Sequence, residues 1–184
     1  VQATANGAQS TATQALTASN NNAAAIVQVQ SGLSLADFTA TLTWDFRGSY
    51  NDFTFANANV ALFPVVSESG MVLDATADDP QLLSPGFSVS GRDSYVVRAM
   101  IRRRTPGAWD GLLLWQTDSH GFGGDHFLMA SAPPADGQFH TVEWDLSSNV
   151  DWRSSQINRV RIDLEGNAGT TTDIRWISIG SKAS

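Results

Sequence analysis

The sequence predicts an all-β domain, a two-sheet jelly-roll β-sandwich, preceded by an N-terminal α-helical stalk segment. Three observations carry this reading. After Phe38, short runs of β-branched and aromatic residues are separated by clusters of Gly, Pro, Asn, Asp and Ser. Several of those runs alternate apolar and polar residues with a period of two, as a strand with one wet face does. No segment between them shows a helical period, and no strand–helix alternation marks a parallel sheet.

The leading segment differs from the rest. No ionisable side chain precedes Asp37, so the whole formal charge of −7 belongs to residues 37–184. Residues 1–36 are rich in Ala, Gln and small polar residues and hold no proline, which suits helix. A seven-residue register places Ala5, Ala12, Ser19, Ile26 and Leu33 at one core position and Ala8, Ala15, Asn22 and Val29 at the other. Such a stripe buries little apolar area in one helix, so identical chains, as a homotrimer, are expected to complete it. The competing reading is a flexible linker, and Asn20-Asn21-Asn22 marks a break under either. The domain division is therefore 1–36, stalk or linker and possible coiled coil, and 37–184, the sandwich.

Strands are expected near 41–46, 50–55, 59–63, 71–74, 94–103, 111–117, 126–131, 139–146, 157–164 and 173–179. His140, Val142, Trp144 and Leu146 alternate with Thr141, Glu143 and Asp145, and Val160, Ile162 and Leu164 alternate with Arg159, Arg161 and Asp163. In the 94–103 run the core set is Tyr95, Val97, Ala99 and Ile101, leaving Arg98 and Arg102 on the opposite face. Leu112-Leu113-Leu114-Trp115 is apolar on both faces, which suits a central strand. Ser84-Pro85-Gly86, Thr105-Pro106-Gly107, Ala132-Pro133-Pro134 and Glu165-Gly166-Asn167 are turn signals between strands. Many short strands so punctuated indicate a jelly-roll sandwich, with a concanavalin-like lectin sandwich as the close alternative.

Charge and composition exclude several functions. A net negative domain with Lys182 as its sole lysine is unsuited to nucleic acid, whose binding needs clustered cations; Arg102-Arg103-Arg104 is the exception. No apolar run is long enough to span a membrane, and no basic stretch followed by an apolar core opens the chain as a signal peptide would. Without cysteine there are no disulfides and no thiolate metal sites.

Catalysis finds little support. His120-Gly121-Phe122-Gly123-Gly124-Asp125-His126 places two imidazoles and a carboxylate in a glycine-rich loop, but neither HExxH nor GxSxG occurs. The loop is read as solvated or as touching ligand directly, and no metal ligand or cofactor is assigned. Glu68, Glu143 and Glu165 are read as solvated, on an outward strand face or in turns, so no glycosidase carboxylate pair stands out.

The aromatics say more. Trp44, Trp115, Trp144 and Trp176 sit in strand patterns and are expected in the core. Trp109, in Gly107-Ala108-Trp109-Asp110-Gly111, and Trp152, after Val150-Asp151, are flanked by polar and turn residues. They are the expected exposed pair, suited to stacking on the C–H faces of sugar rings, unless they fold over the end of the sandwich as a lid. Asp118, His120 and His126 join them as loop contacts. Arg98 and Arg102 form a second candidate surface, for an anionic glycan, or they neutralise a neighbouring acidic strand.

The order of segments carries a resemblance. Trp44-Asp45-Phe46, Asp78-Asp79-Pro80 leading into Leu83-Ser84-Pro85, Tyr95-Val96-Val97-Arg98, Leu114-Trp115-Gln116-Thr117, Val142-Glu143-Trp144-Asp145-Leu146, Val160-Arg161-Ile162-Asp163-Leu164 and Ile174-Arg175-Trp176-Ile177 follow one another across residues 40–180. The set resembles the carbohydrate-binding-module (galactose-binding-like) jelly rolls at the C-terminal ends of bacteriophage tail-tip and central-fibre proteins. Similar modules are appended to glycoside hydrolases. The resemblance implies a non-catalytic domain on the virion tail that attaches to a bacterial surface glycan. The alternatives are an accessory module of a carbohydrate-active enzyme and a purely structural tail domain. Many related modules place a calcium-ligating acid where this chain has Arg175; a guanidinium cannot ligate calcium, so the resemblance carries no calcium site here, although Asp173 could supply a displaced ligand.

Overall fold

The computed structural model describes residues 37–62 and 70–183. The expected stalk, its trimer interface and Glu68 lie outside the described residues. Twelve strands and one short helix make up the described part: β1 (Thr39–Asp45), β2 (Thr54–Ala56), β3 (Ala58–Leu62), β4 (Met71–Ala75), β5 (Gln81–Leu83), β6 (Val89–Ser90), β7 (Val96–Thr105), β8 (Trp109–Thr117), β9 (Phe127–Met129), β10 (His140–Asp145), α1 (Val150–Ser154), β11 (Gln156–Glu165) and β12 (Thr171–Ser181).

They form two antiparallel sheets of six strands. The first runs β10-β7-β12-β4-β3, and β1 shares the β4 edge of β12, pairing with its C-terminal half from Trp176 to Ser181. The second runs β2-β5-β11-β8-β9, with β6 beside the start of β11. From β7 onward the chain passes from one sheet to the other at every connection except the β8–β9 hairpin. The all-β two-sheet sandwich expected from the alternation is the observed architecture.

Alternation decides which residues fill the space between sheets. Val97, Ala99 and Ile101 of β7, Val142 and Trp144 of β10, Leu113 and Trp115 of β8, and Val160, Ile162 and Leu164 of β11 belong to one buried cluster. Trp44 and Phe46 join it through edge-to-face contacts with Phe53, ring centroids 5.2 and 5.1 Å apart. Trp176 is buried but lies outside this cluster; the bulge between Ile174 and Trp176 lets Ile174 and Ile177 both face inward. Each buried aromatic ring removes about 150–250 Å² from water, so this set supplies a large share of the burial free energy.

Three expectations are corrected. The segment 150–154 is helical, because the Asn149 side chain caps it by accepting from the Trp152 N–H, with Asp151 in the first turn. The segments 81–83 and 89–90 form short strands on the β11 edge. Glu165 is buried at the end of β11, not solvated in a turn. Its carboxylate takes both Nε and Nη2 of Arg103, at 2.5 and 3.0 Å, and the Gly107 N–H. That pair bridges β7 of one sheet and β11 of the other at the edge of the core.

Candidate functional site

The sandwich leaves two outer sheet faces and the loops at its ends. The outer face of the first sheet carries charged residues that are already paired. Arg98 is buried and donates to Glu143 at 2.7 Å. Arg102 and Arg104 both donate to Oδ2 of the buried Asp173 at 2.6 Å, and Arg102 and Arg175 lie over the Phe139 ring, 4.6 and 4.0 Å from its centroid. Of the two roles expected for Arg98 and Arg102, neutralising a neighbouring acidic strand fits this geometry. Asp173 serves the same network, where two guanidinium groups neutralise it, and Arg175 occupies the position beside it.

Neither tryptophan expected at the surface is exposed. Trp152 is fully buried under α1, donates from Nε1 to the Ser94 carbonyl at 2.8 Å and meets Trp115 edge-to-face at 5.5 Å. A β-carbon on Gly91 would fall 1.9 Å from the Trp152 carbonyl oxygen, so the chain before β7 packs directly on the helix. Trp109 opens β8, half-buried against the core, donates to the Ala130 carbonyl at 2.8 Å and stacks under the Arg103 guanidinium at 5.1 Å. Gly111 adopts φ +58° beneath it, where a β-carbon would lie 2.3 Å from the indole nitrogen. Both rings close the sandwich, as the lid reading had it. The polar flanks that suggested exposure are the turn and cap residues that make the lids possible.

The expected loop contacts fare differently. Asp118 is exposed and accepts from Asn158 Nδ2 at 2.6 Å. His120 and His126 stack with centroids 3.5 Å apart and planes 9° from parallel. Both face Asp151 Oδ2, His120 Nε2 at 3.0 Å and His126 Nδ1 at 3.3 Å. The same oxygen accepts from Trp115 Nε1 at 2.7 Å. Burial pushes the Asp151 carboxyl up, but the hydrogen bonds from Trp115 and His120 and the charges of the two histidines hold it below the usual carboxylate range. The three ligand-type atoms lie within 4.8 Å of one another. Sequence reasoning missed Asp151, because β9, β10 and their connections separate it from the histidines.

The outer face of the second sheet shows what sequence reasoning did not single out. Phe127 and Met129 on β9 are 42% and 59% exposed. Pairing sets Leu114 between Phe127 and Arg161, and Leu112 between Met129 and Asp163, while Gln116 stands opposite Arg159. The outward residues thus form an apolar strip along β8 and β9 beside a polar strip on β11. Arg161 donates to Asp163 at 2.6 Å and to Asp79 at 3.1 Å. Burial, the larger effect, raises the Asp163 carboxyl against the pull of Arg161, and Asp110 is raised by burial and by the charges of Asp79 and Glu165. Arg159 donates twice to the Ser84 carbonyl, at 3.1 and 3.0 Å. The apolar reading of Leu112–Trp115 on both faces was correct, but its outer half looks onto a short edge strand and water.

No protein-family model matches the chain, and no curated protein matches it in sequence. Solved structures do match. The CBM22-1–GH10 modules of the Clostridium thermocellum endo-1,4-β-D-xylanase 10B, complexed with xylohexaose, align with a TM-score of 0.56 at 8% identity, over 79% of this chain and 29% of theirs. The second N-terminal cellulose-binding domain of Cellulomonas fimi β-1,4-glucanase C aligns at 0.53 and 18% identity, over 82% of this chain and 99% of that one. The CBM6cm-2 carbohydrate-binding module of Cellvibrio mixtus lichenase 5A, in complex with cellotriose, aligns at 0.50 and 14% identity, over 79% and 100%. The described domain thus shares the two-sheet β-sandwich fold of these carbohydrate-binding modules.

Proposed function

We propose that this domain is a non-catalytic carbohydrate-binding module whose glycan site is the outer face of the second sheet. The observation that supports the reading most is the exposure of Phe127 and Met129 beside Leu112 and Leu114, on a fold shared with modules that bind glycans. Pyranose rings carry apolar C–H faces and polar rims. An aromatic and thioether strip offers the first a surface worth about 1–2 kcal/mol per buried ring-sized patch, and Gln116, Arg159 and Arg161 stand beside it for the hydroxyls. The cations on this face already serve Asp79, Asp163 and the Ser84 carbonyl, and the chain carries −7 overall. A neutral glycan is therefore the proposed ligand class.

The solved relatives are modules of a xylanase, a glucanase and a lichenase, and this supports an accessory role attached to a carbohydrate-active enzyme. The phage tail-tip setting, with a bacterial surface glycan as receptor, rests on the order of sequence segments, and the trimer on the small-residue register of residues 1–36. Multivalent display would strengthen weak single-site binding in that setting. Affinity electrophoresis through gels containing soluble β-glucans, xylan or bacterial exopolysaccharide tests the reading. Retardation by one neutral polysaccharide, lost in Phe127→Ala, supports it; free migration in every gel overturns it.

A further inference from the structure

We propose that His120, His126 and Asp151 form a binding site for a divalent first-row transition-metal ion, with zinc the natural probe. The proposal stands apart from the glycan reading, since it concerns the loop between β8 and β9 and its tie to α1. The hydrogen-bond geometry of His120 is the starting point. Its Nδ1 lies 2.9 Å from the Gly121 carbonyl oxygen and its Nε2 3.0 Å from Asp151 Oδ2. Both neighbours only accept, so each ring nitrogen needs a positive partner: a proton on each, or a proton on Nδ1 and a metal ion at Nε2. A metal at Nε2 replaces one proton, which leaves to solvent.

The second arrangement is the one metal sites use. A ligating imidazole donates its other N–H to a carbonyl, and a ligating carboxylate is itself held by a hydrogen bond. Here the Gly121 carbonyl and the Trp115 indole supply those two supports. Spacing agrees as well. Zinc bonds of about 2.0–2.2 Å in tetrahedral geometry separate neighbouring ligand atoms by about 3.3 Å, against 3.0 and 3.3 Å from Asp151 Oδ2 to the two imidazole nitrogens. Coordination requires the rings to open out of their 9° stack, and both side chains are partly exposed, 17% and 33%. The donor set of two imidazoles and one carboxylate suits zinc and its neighbours and is poor for calcium, which takes oxygen ligands.

The test titrates the full chain, stripped with chelator, with Zn²⁺, Ca²⁺ and Co²⁺, following heat and visible absorption. The expected result is one Zn²⁺ per chain, a Co²⁺ spectrum that Zn²⁺ displaces, and no response to Ca²⁺. At a hundredfold excess of Zn²⁺ over its dissociation constant the melting temperature rises by about 5–10 °C. His120→Ala and His126→Ala each weaken uptake at least tenfold while their metal-free melting temperatures stay near wild type. His140→Ala, which removes only the separate pair with Asp136, leaves uptake unchanged. No saturable Zn²⁺ uptake, equal binding of Ca²⁺, or uptake indifferent to both histidine variants would overturn the proposal. Should either histidine variant melt early without metal, Asp151→Asn, which keeps the side-chain shape, decides by the same titration.

Discussion

Truncating Trp152 separates a structural lid from a ligand contact. The ring is fully buried, and its Nε1–H is the partner of the Ser94 carbonyl. Removing a buried tryptophan costs about 3–5 kcal/mol through lost burial and the cavity left behind. Leaving the Ser94 carbonyl without its donor adds about 1 kcal/mol. Trp115 also loses its edge-to-face neighbour. A total near 4–6 kcal/mol is a large part of the ~5–15 kcal/mol that holds a domain folded. In a domain of this size it lowers the melting temperature by roughly 10–20 °C. Thermal unfolding followed by near-ultraviolet circular dichroism reads the loss, with Asn149→Ala as a graded control expected to cost about 1 kcal/mol through the helix cap. A Trp152→Ala protein that melts within a few degrees of wild type would refute the burial argument and return the ring to the surface.

Two further perturbations test the electrostatics. Glu165→Ala leaves the Arg103 guanidinium buried without its carboxylate and is expected to cost about 3–5 kcal/mol. Glu143→Ala also removes the carboxylate of a buried arginine, but that carboxylate is 31% exposed and lies where water reaches it, so the variant should cost clearly less than Glu165→Ala; equal urea midpoints for the two variants would contradict the assignment. The Asp145 carboxyl is held down to about 2 by hydrogen bonds from Lys182 and Ser147. A carboxyl lower in the folded state than in the unfolded chain stabilises above its unfolded value, near 3.8, and loses that contribution as pH falls toward 2. Lys182→Met should therefore lower the urea midpoint slightly at pH 7, the deficit fading between pH 4 and pH 2. A deficit constant through that window argues against the pairing.

The strands of the sandwich were legible because period-two alternation is the direct imprint of a half-buried sheet, as in Val142–Leu146 and Val160–Leu164. Strands β5 and β6 were not, since two or three residues cannot show a period and their pairing depends on β11. The helix was signalled by Asn149 followed by Asp151, but five residues give no helical repeat to count. Trp109 and Trp152 show the limit of judging exposure from neighbours: polar residues beside a tryptophan mark a turn, and turns at the ends of a sandwich are where large rings cover the core. The histidine pair was visible as a loop motif. Its carboxylate partner came from a distant helix, and the exposure of Phe127 and Met129 follows from β9 being a three-residue edge strand, which no local pattern reveals.

The central claim is that the outer face of the second sheet holds a neutral glycan, and an NMR titration of the labelled full chain measures this most directly. With the oligosaccharide selected by gel retardation, the account predicts saturable shifts confined to β8, β9 and β11, centred on Leu112, Leu114, Phe127, Met129 and Arg161, and abolished by Phe127→Ala. Shifts centred instead on the Arg98 and Arg102 face, or on Asp118 and the histidine loop with the second sheet silent, would contradict it.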